Sequence, residues 1–257
     1  MLKIFLISIA LLTSQIKAQP RSVRATCEKF DRLNTAILNN TIKHADARIQ
    51  VKALLDAIKS QSELKPLPAP WVFPLARYNY QATGGSGGNG YIGKGYNYFD
   101  GKKHGGHPAH DIFIDDRNQD CIDDKTHLPV EVLAVADGIV IACCNTWETS
   151  SKLRGGKYIW IYHPQLNLIT YYAHNESIFV KPGDKIKAGQ QIALVGRTGY
   201  NAYKKRSPTH LHFSSFHIVD GKPVPFNGYK QLKNAKTSGN SLSHYCCCFL
   251  QPHYQTM

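Results

Sequence analysis

From Val130 to Phe213 the chain is a succession of short apolar or alternating runs: VEVLAVADGIVIA (130–142), KYIWIYH (157–163), LITYYAH (168–174), KPGDKIKAG (181–189), QIALV (191–195) and THLHF (209–213). Gly, Pro and Asp turns separate them, and each is short for a packed helix, so the pattern predicts strands. Within 130–142 the Asp137-Gly138 dipeptide predicts a hairpin. A second pair of strands is expected over 157–163 and 168–174, joined through Pro164 to Asn167. The fold class that follows is all-β, an antiparallel β sandwich or half-barrel, with helix confined to an N-terminal extension.

That extension is Thr26–Leu64, where Phe30, Leu33, Ile37, Ile42, Ala45, Ile49, Leu54 and Ile58 recur near a helical period. One or two amphipathic helices are expected, packing on the main domain or on another copy of themselves. They carry no candidate for the chemistry below, so a chain starting near Trp71 is expected to fold without them. Lys65–Pro74 reads as a stiff linker or strap because of its repeated Pro. Leu75–Gly106, rich in Gly and Tyr, reads as a loop lining a cleft.

Met1–Ala18 has a basic Lys3, an apolar run Ile4–Leu12 and a small residue at Ala18, the pattern of a secretory signal peptide. The expected organisation is a signal peptide over 1–18, a helical extension over 19–64, linker and cleft loop over 65–106, the main domain over 107–226 and a tail over 227–257. An exported, periplasmic or secreted protein without stable membrane insertion follows. The net charge of +13 is scattered rather than gathered on one face, which argues against nucleic acid and for an anionic polymer such as a cell wall. Seven Cys include the adjacent Cys143–Cys144 and the run Cys246–Cys248, from which no pairing can be deduced. The closing segment from Asn227 loses the strand pattern, and neither its role nor the oligomeric state is legible.

In a strand, His210 and His212 point to one face while Leu211 points to the other. One imidazole of the pair can ligate a metal and its neighbour stays free for proton chemistry. His107-Pro-Ala-His-Asp111 sits among Gly105, Gly106 and Pro108, so it is a loop feeding a strand rather than a helical His-Glu-x-x-His motif. A catalytic zinc site takes three protein ligands, and His107, Asp111 and one histidine of the pair supply such a set.

His107-x-x-x-Asp111, VLAVADGIV, TYYAH, KPGDKIKAGQQIALVGRTG and THLHF occur in the same order in lysostaphin-like, LytM-type zinc metallopeptidases, which the chain resembles over roughly His104 to Phe216. The resemblance implies an antiparallel β fold with a groove across its sheet. It implies Zn2+ held by His107, Asp111 and His212, with His174 and His210 matching the family's two non-ligand catalytic histidines. It also implies a substrate, the peptide part of peptidoglycan, cut at a cross-link by a zinc-dependent endopeptidase. A non-catalytic relative that binds wall peptides or activates another hydrolase is the alternative. Two departures from the family pattern flank the motif: Ala109-His110 precedes Asp111 where family members often have Gly and an aliphatic residue, so that His110 could be mistaken for the ligand, and Asp115–Pro129 is longer than a tight turn requires.

With no Glu base in a helical motif, His174 and His210 are the groups available to take and return a proton. Tyr96 and Tyr98 are expected to line the cleft, with donation to a transition state as the lesser role. Asp116, Asn118, Asp120 and Asp124 have the alternating spacing of a calcium loop, but Cys121 stands where such loops need Gly and no bidentate Glu follows. A solvated acidic loop is the expected reading.

Overall fold

The computed structural model describes residues 22–62 and 70–238. The expected signal peptide, residues 65–69 of the Pro-rich linker and the Cys246–Cys248 run lie outside the described residues.

Helix α1 spans Val23–Leu38, and its first turn is closed by Ser22, whose side chain accepts from the Ala25 N–H. Helix α2 spans His44–Gln61. The strands are β1 (Ala109–Phe113), β2 (Glu131–Leu133), β3 (Gly138–Cys144), β4 (Tyr158–His163), β5 (Leu168–Ala173), β6 (Asn175–Ile178), β7 (Lys185–Ile186), β8 (Gln191–Val195), β9 (His210–Val219) and β10 (Lys222–Pro225), followed by a short helix α3 (Tyr229–Lys233). The larger sheet runs β1-β9-β5-β4-β3-β7, with β10 also on β9, and a smaller sheet runs β2-β8-β6. Every named strand pair is antiparallel. The all-β class with N-terminal helices is thus borne out.

The larger sheet buries both faces, which is why its strands read as continuous apolar runs. One face, with Ile112, Val140, Ile161, Leu211 and Phe213, packs on Val132, Ile192 and Val195 of the smaller sheet. The other, with Ile139, Ile141, Trp160, Tyr162, Ile169 and Phe216, is covered by Phe30, Leu33, Ile37, Val51, Leu55 and Ile58 of the two helices. The helices therefore pack on the main domain and complete half of its core, so the expectation that the chain folds without them does not fit the packing.

The β4–β5 hairpin forms as expected, but 130–142 does not form one. β2 pairs with β8 in the smaller sheet, while β3 pairs with β4 and β7 in the larger. The connection crosses between the sheets, and the Val135 N–H is satisfied there by the Tyr172 hydroxyl at 3.0 Å. An Asp-Gly turn between two runs buried on both faces carries no information on which neighbour each run will choose.

Candidate metal centre

β9 lies between β1 and β5, with Asp111 opposite His212, Phe113 opposite His210 and Ala173 opposite His212. The period-two alternation sends His210, His212, Ser214 and Phe216 to the face that the helices cover. Phe216 is buried in the cluster the helices cover and backs the cleft, while the two histidines open into this cleft of about 260 Å³, which also contains His107, Asp111 and His174.

His107 Nε2 and His212 Nδ1 lie 3.4 and 3.1 Å from Asp111 Oδ1. Ligand atoms at ~2.0–2.1 Å around one tetrahedral ion stand roughly 3.3 Å apart, so this spacing fits a shared zinc. Among the described residues these three are the group of His, Cys, Asp or Glu that could hold an ion, their ligand atoms all within 4.8 Å of one another. His107 Nδ1 lies 3.2 Å from the Gly90 carbonyl; donating there, the ring would offer Nε2 as the ligand atom once a metal takes the place of its hydrogen bond to Asp111. His212 Nε2 lies 3.5 Å from Ser214 Oγ, a partner that lets Nδ1 serve as the ligand atom.

Burial alone would push the Asp111 carboxyl up. Hydrogen bonds from His107 and His212 outweigh it and hold the group well below the usual carboxylate range. The Asp111 hydrogen bond raises His107, while burial lowers His212. The donor set thus holds one fixed negative charge between two imidazoles, as a dication requires.

The other two histidines share a different arrangement. His174 Nδ1 donates to the Thr198 carbonyl and His210 Nδ1 to the Pro208 carbonyl, each at 2.7 Å, so both carry their lone pair on Nε2. The two rings stand 4.9 Å apart, and His174 is 5.5 Å from the His212 ring. His210 Nε2 lies 3.8 Å from Asp111 Oδ1, beyond the two nearer histidines. Burial, reinforced by His210 and His212, drives His174 well below the ordinary imidazole value and keeps it neutral. His174 has φ 68°, an uncommon conformation for a side-chain-bearing residue. Its N–H bond to Gly155 at 2.9 Å and its ring bond to Thr198 hold it there. Gly199 packs so closely on this ring that a Cβ would come within 2.8 Å of His174 Nδ1 and 2.4 Å of the Arg154 carbonyl.

His110, next to the motif aspartate, takes the opposite face of β1. It is buried, bonded through Nε2 to Asn227 Oδ1 at 3.0 Å and stacked on Tyr91. Tyr98 is buried too, its hydroxyl donating to Asn34 Oδ1 at 3.0 Å, while Asn34 Nδ2 donates to the Tyr158 hydroxyl. With that hydroxyl engaged by α1, Tyr98 is wall. Tyr96 packs on Phe216 and His104.

The acidic loop closes on itself. Asp116 accepts from the N–H groups of Asp120 and Cys121 and from Thr209 Oγ1, Asp120 accepts from Ile122 N–H, and Asp124 accepts from Arg117 N–H. The Asp116–Thr209 contact of 2.6 Å anchors the residue before His210. Sequence spacing could not reveal the carbonyls of Gly90, Thr198 and Pro208 that set the ring tautomers; of these only Pro208, just ahead of THLHF, leaves a mark.

Residues 117–225 match Peptidase family M23, which bears out the resemblance drawn from the motifs. The matched span takes in His174, His210 and His212; His107 and Asp111 join them through the β1–β9 pairing. The chain is 39% identical over 83 residues to the murein hydrolase activator NlpD of Escherichia coli, covering 32% of this chain and 18% of that protein. It is 34% identical over 93 residues to the peptidoglycan DD-endopeptidase ShyA of Vibrio cholerae, covering 36% of this chain and 18% of that protein. The chain thus spans about a fifth of the length of these relatives. The catalytic domain of the antimicrobial peptidase lysostaphin from Staphylococcus simulans superposes with a TM-score of 0.35 at 24% identity, over 55% of this chain and 87% of that one.

Proposed function

We propose that the protein is an exported zinc-dependent endopeptidase that hydrolyses peptide cross-links of bacterial peptidoglycan. The observation that carries this reading is the joint presence, in one cleft, of the His107, Asp111 and His212 ligand set and two further histidines with free Nε2 atoms. His107 Nε2, an Asp111 carboxylate oxygen and His212 Nδ1 would hold Zn2+. Bound there, zinc would bring the pKa of a coordinated water toward ~7 and polarise a peptide carbonyl.

His174 and His210 are each fixed by a hydrogen bond at Nδ1 that leaves Nε2 available, so neither ring must turn to accept a proton or to deliver it to a leaving amine. A protonated imidazole on either ring would then offer a hydrogen bond to a developing oxyanion. The apolar walls of Tyr96, Trp160, Tyr171 and Phe216 limit water around the reacting peptide. Export follows from the signal-like segment Met1–Ala18, and among the described residues no helix is long and apolar enough to cross a membrane.

The likeness to NlpD favours a second reading, in which the chain binds wall peptides and activates another hydrolase. Zinc content of the purified protein, together with cleavage of cross-linked wall peptides, tests both. Stoichiometric zinc with cleavage abolished by a chelator is the expected result. Zinc-free protein without cleavage that stimulates a separate wall hydrolase would overturn the enzyme reading.

A further inference from the structure

Beyond the histidines the cleft continues over an aromatic floor. Trp160 lies 4.7 Å from Tyr171 and 5.4 Å from Phe216, nearly parallel to the latter, and Tyr96 sits 5.2 Å from Phe216. Tyr171 meets the His212 ring edge to face at 6.0 Å, so this floor begins where the candidate ligand ends. Arg154 and Lys102 are the cations lining the same cleft, and its one carboxylate, Asp111, is committed to histidines.

Arg154 is exposed where it lines the cleft, and one hydrogen bond ties its guanidinium there. Its Nη1 donates to the His104 carbonyl at 3.2 Å. Its neighbour Gly155 is pressed so closely against Tyr171 that a Cβ would fall 2.0 Å from the phenol oxygen. Nη2 and Nε have no hydrogen-bond partner among the described residues, and no carboxylate of those residues forms an ion pair with the guanidinium. A guanidinium pinned by one nitrogen and open at the others presents the planar fork that a carboxylate fills.

We propose that Arg154 and the floor of Tyr96, Trp160 and Tyr171 form a subsite for a peptide residue with an apolar stem and a free carboxylate, held next to the scissile bond. The stem lies on the ring faces and the carboxylate pairs with Nη2 and Nε of Arg154. This deepens the endopeptidase reading and rests on it for the position of the scissile bond. The carboxylate can belong to a side chain or to a chain end, and the test separates the two.

The probes are three synthetic cross-linked tetrapeptides of one sequence: one with both carboxylates free, one amidated on the side-chain carboxylate beside the scissile bond, and one amidated at the adjacent C-terminus. Cleavage by the zinc-loaded protein is compared with Arg154→Gln and Arg154→Lys, and binding of the same peptides to the metal-free protein is read by calorimetry. Wild type is expected to favour the free carboxylate over its amide by about ten- to hundredfold at one of the two positions, the range for a hydrogen bond to a charged group. In Arg154→Gln that ratio is expected to fall near one, and Arg154→Lys to restore part of it. An unchanged melting temperature excludes misfolding as the cause. Equal handling of all three peptides by wild type overturns the subsite. Absence of cleavage with the binding preference intact overturns the endopeptidase reading and keeps the subsite.

Discussion

Replacing His212 with Ala separates the ligand role from the proton role more sharply than any other change, because His210 stands two residues away on the same face. The structure puts His212 Nδ1 at 3.1 Å and His107 Nε2 at 3.4 Å from the shared Asp111 oxygen, against 3.8 Å for His210 Nε2. Structural zinc in small peptides is held with ~10–16 kcal/mol by four ligands, roughly 2.5–4 kcal/mol for each. Loss of one ligand of three therefore predicts metal affinity lowered by about 10²-fold or more. Activity is lost with the metal. His210→Ala and His174→Ala remove no ligand atom, so zinc stays bound and turnover falls by ~10²-fold or more, the usual scale for a proton-transfer group. His110→Ala changes neither, since its ring faces Asn227 and Tyr91. Metal analysis after dialysis against a weak chelator, with wall-peptide cleavage on the reloaded proteins, reads all four variants. Zinc lost from His210→Ala but kept by His212→Ala would invert the roles, and zinc lost from His110→Ala would show that the first motif has been misassigned.

Phe30→Ala, at a side chain 1% exposed between α1 and the larger sheet, is expected to cost ~3–5 kcal/mol in urea unfolding. A chain starting at Trp71 is expected to aggregate; cooperative unfolding of that shorter chain at the full-length midpoint would refute the shared core. His163 is fully buried with Nδ1 on the Asp137 carbonyl and Nε2 on Thr170 Oγ1, both at 2.8 Å, and burial lowers it from the ordinary 6.5 to about 4. The unfolded chain then binds this proton first, so its contribution is intact above pH ~6.5 and is lost as pH falls toward ~4, a total of about 3 kcal/mol. An imidazole titration of His163 near its ordinary value, followed by NMR, would sink that account. Calcium added to the zinc-loaded protein is expected to leave the melting temperature unchanged, because Asp116 and Asp120 already accept backbone N–H bonds; an upward shift would revive the calcium loop.

Local periodicity was enough to place His210 and His212 on one face, to pair 157–163 with 168–174 and to make Phe30, Leu33 and Ile37 one side of a helical segment. Those properties depend only on where Cβ atoms point in a strand or helix. Strand partnership was not legible in the same way: the runs around Asp137-Gly138 are apolar on both faces, and each found its neighbour in a different sheet. Which histidine meets Asp111 depended on the β1–β9 register, since a shift of one residue would have brought His110 to the cleft. The free Nε2 atoms depended on carbonyls of Thr198 and Pro208, whose direction no side-chain pattern records. The helices, readable only as amphipathic, acquired their part in the cleft when α1 brought Asn34 to the hydroxyls of Tyr98 and Tyr158. Contacts of that range are set by packing of distant segments, and a sequence read locally carries no term for them.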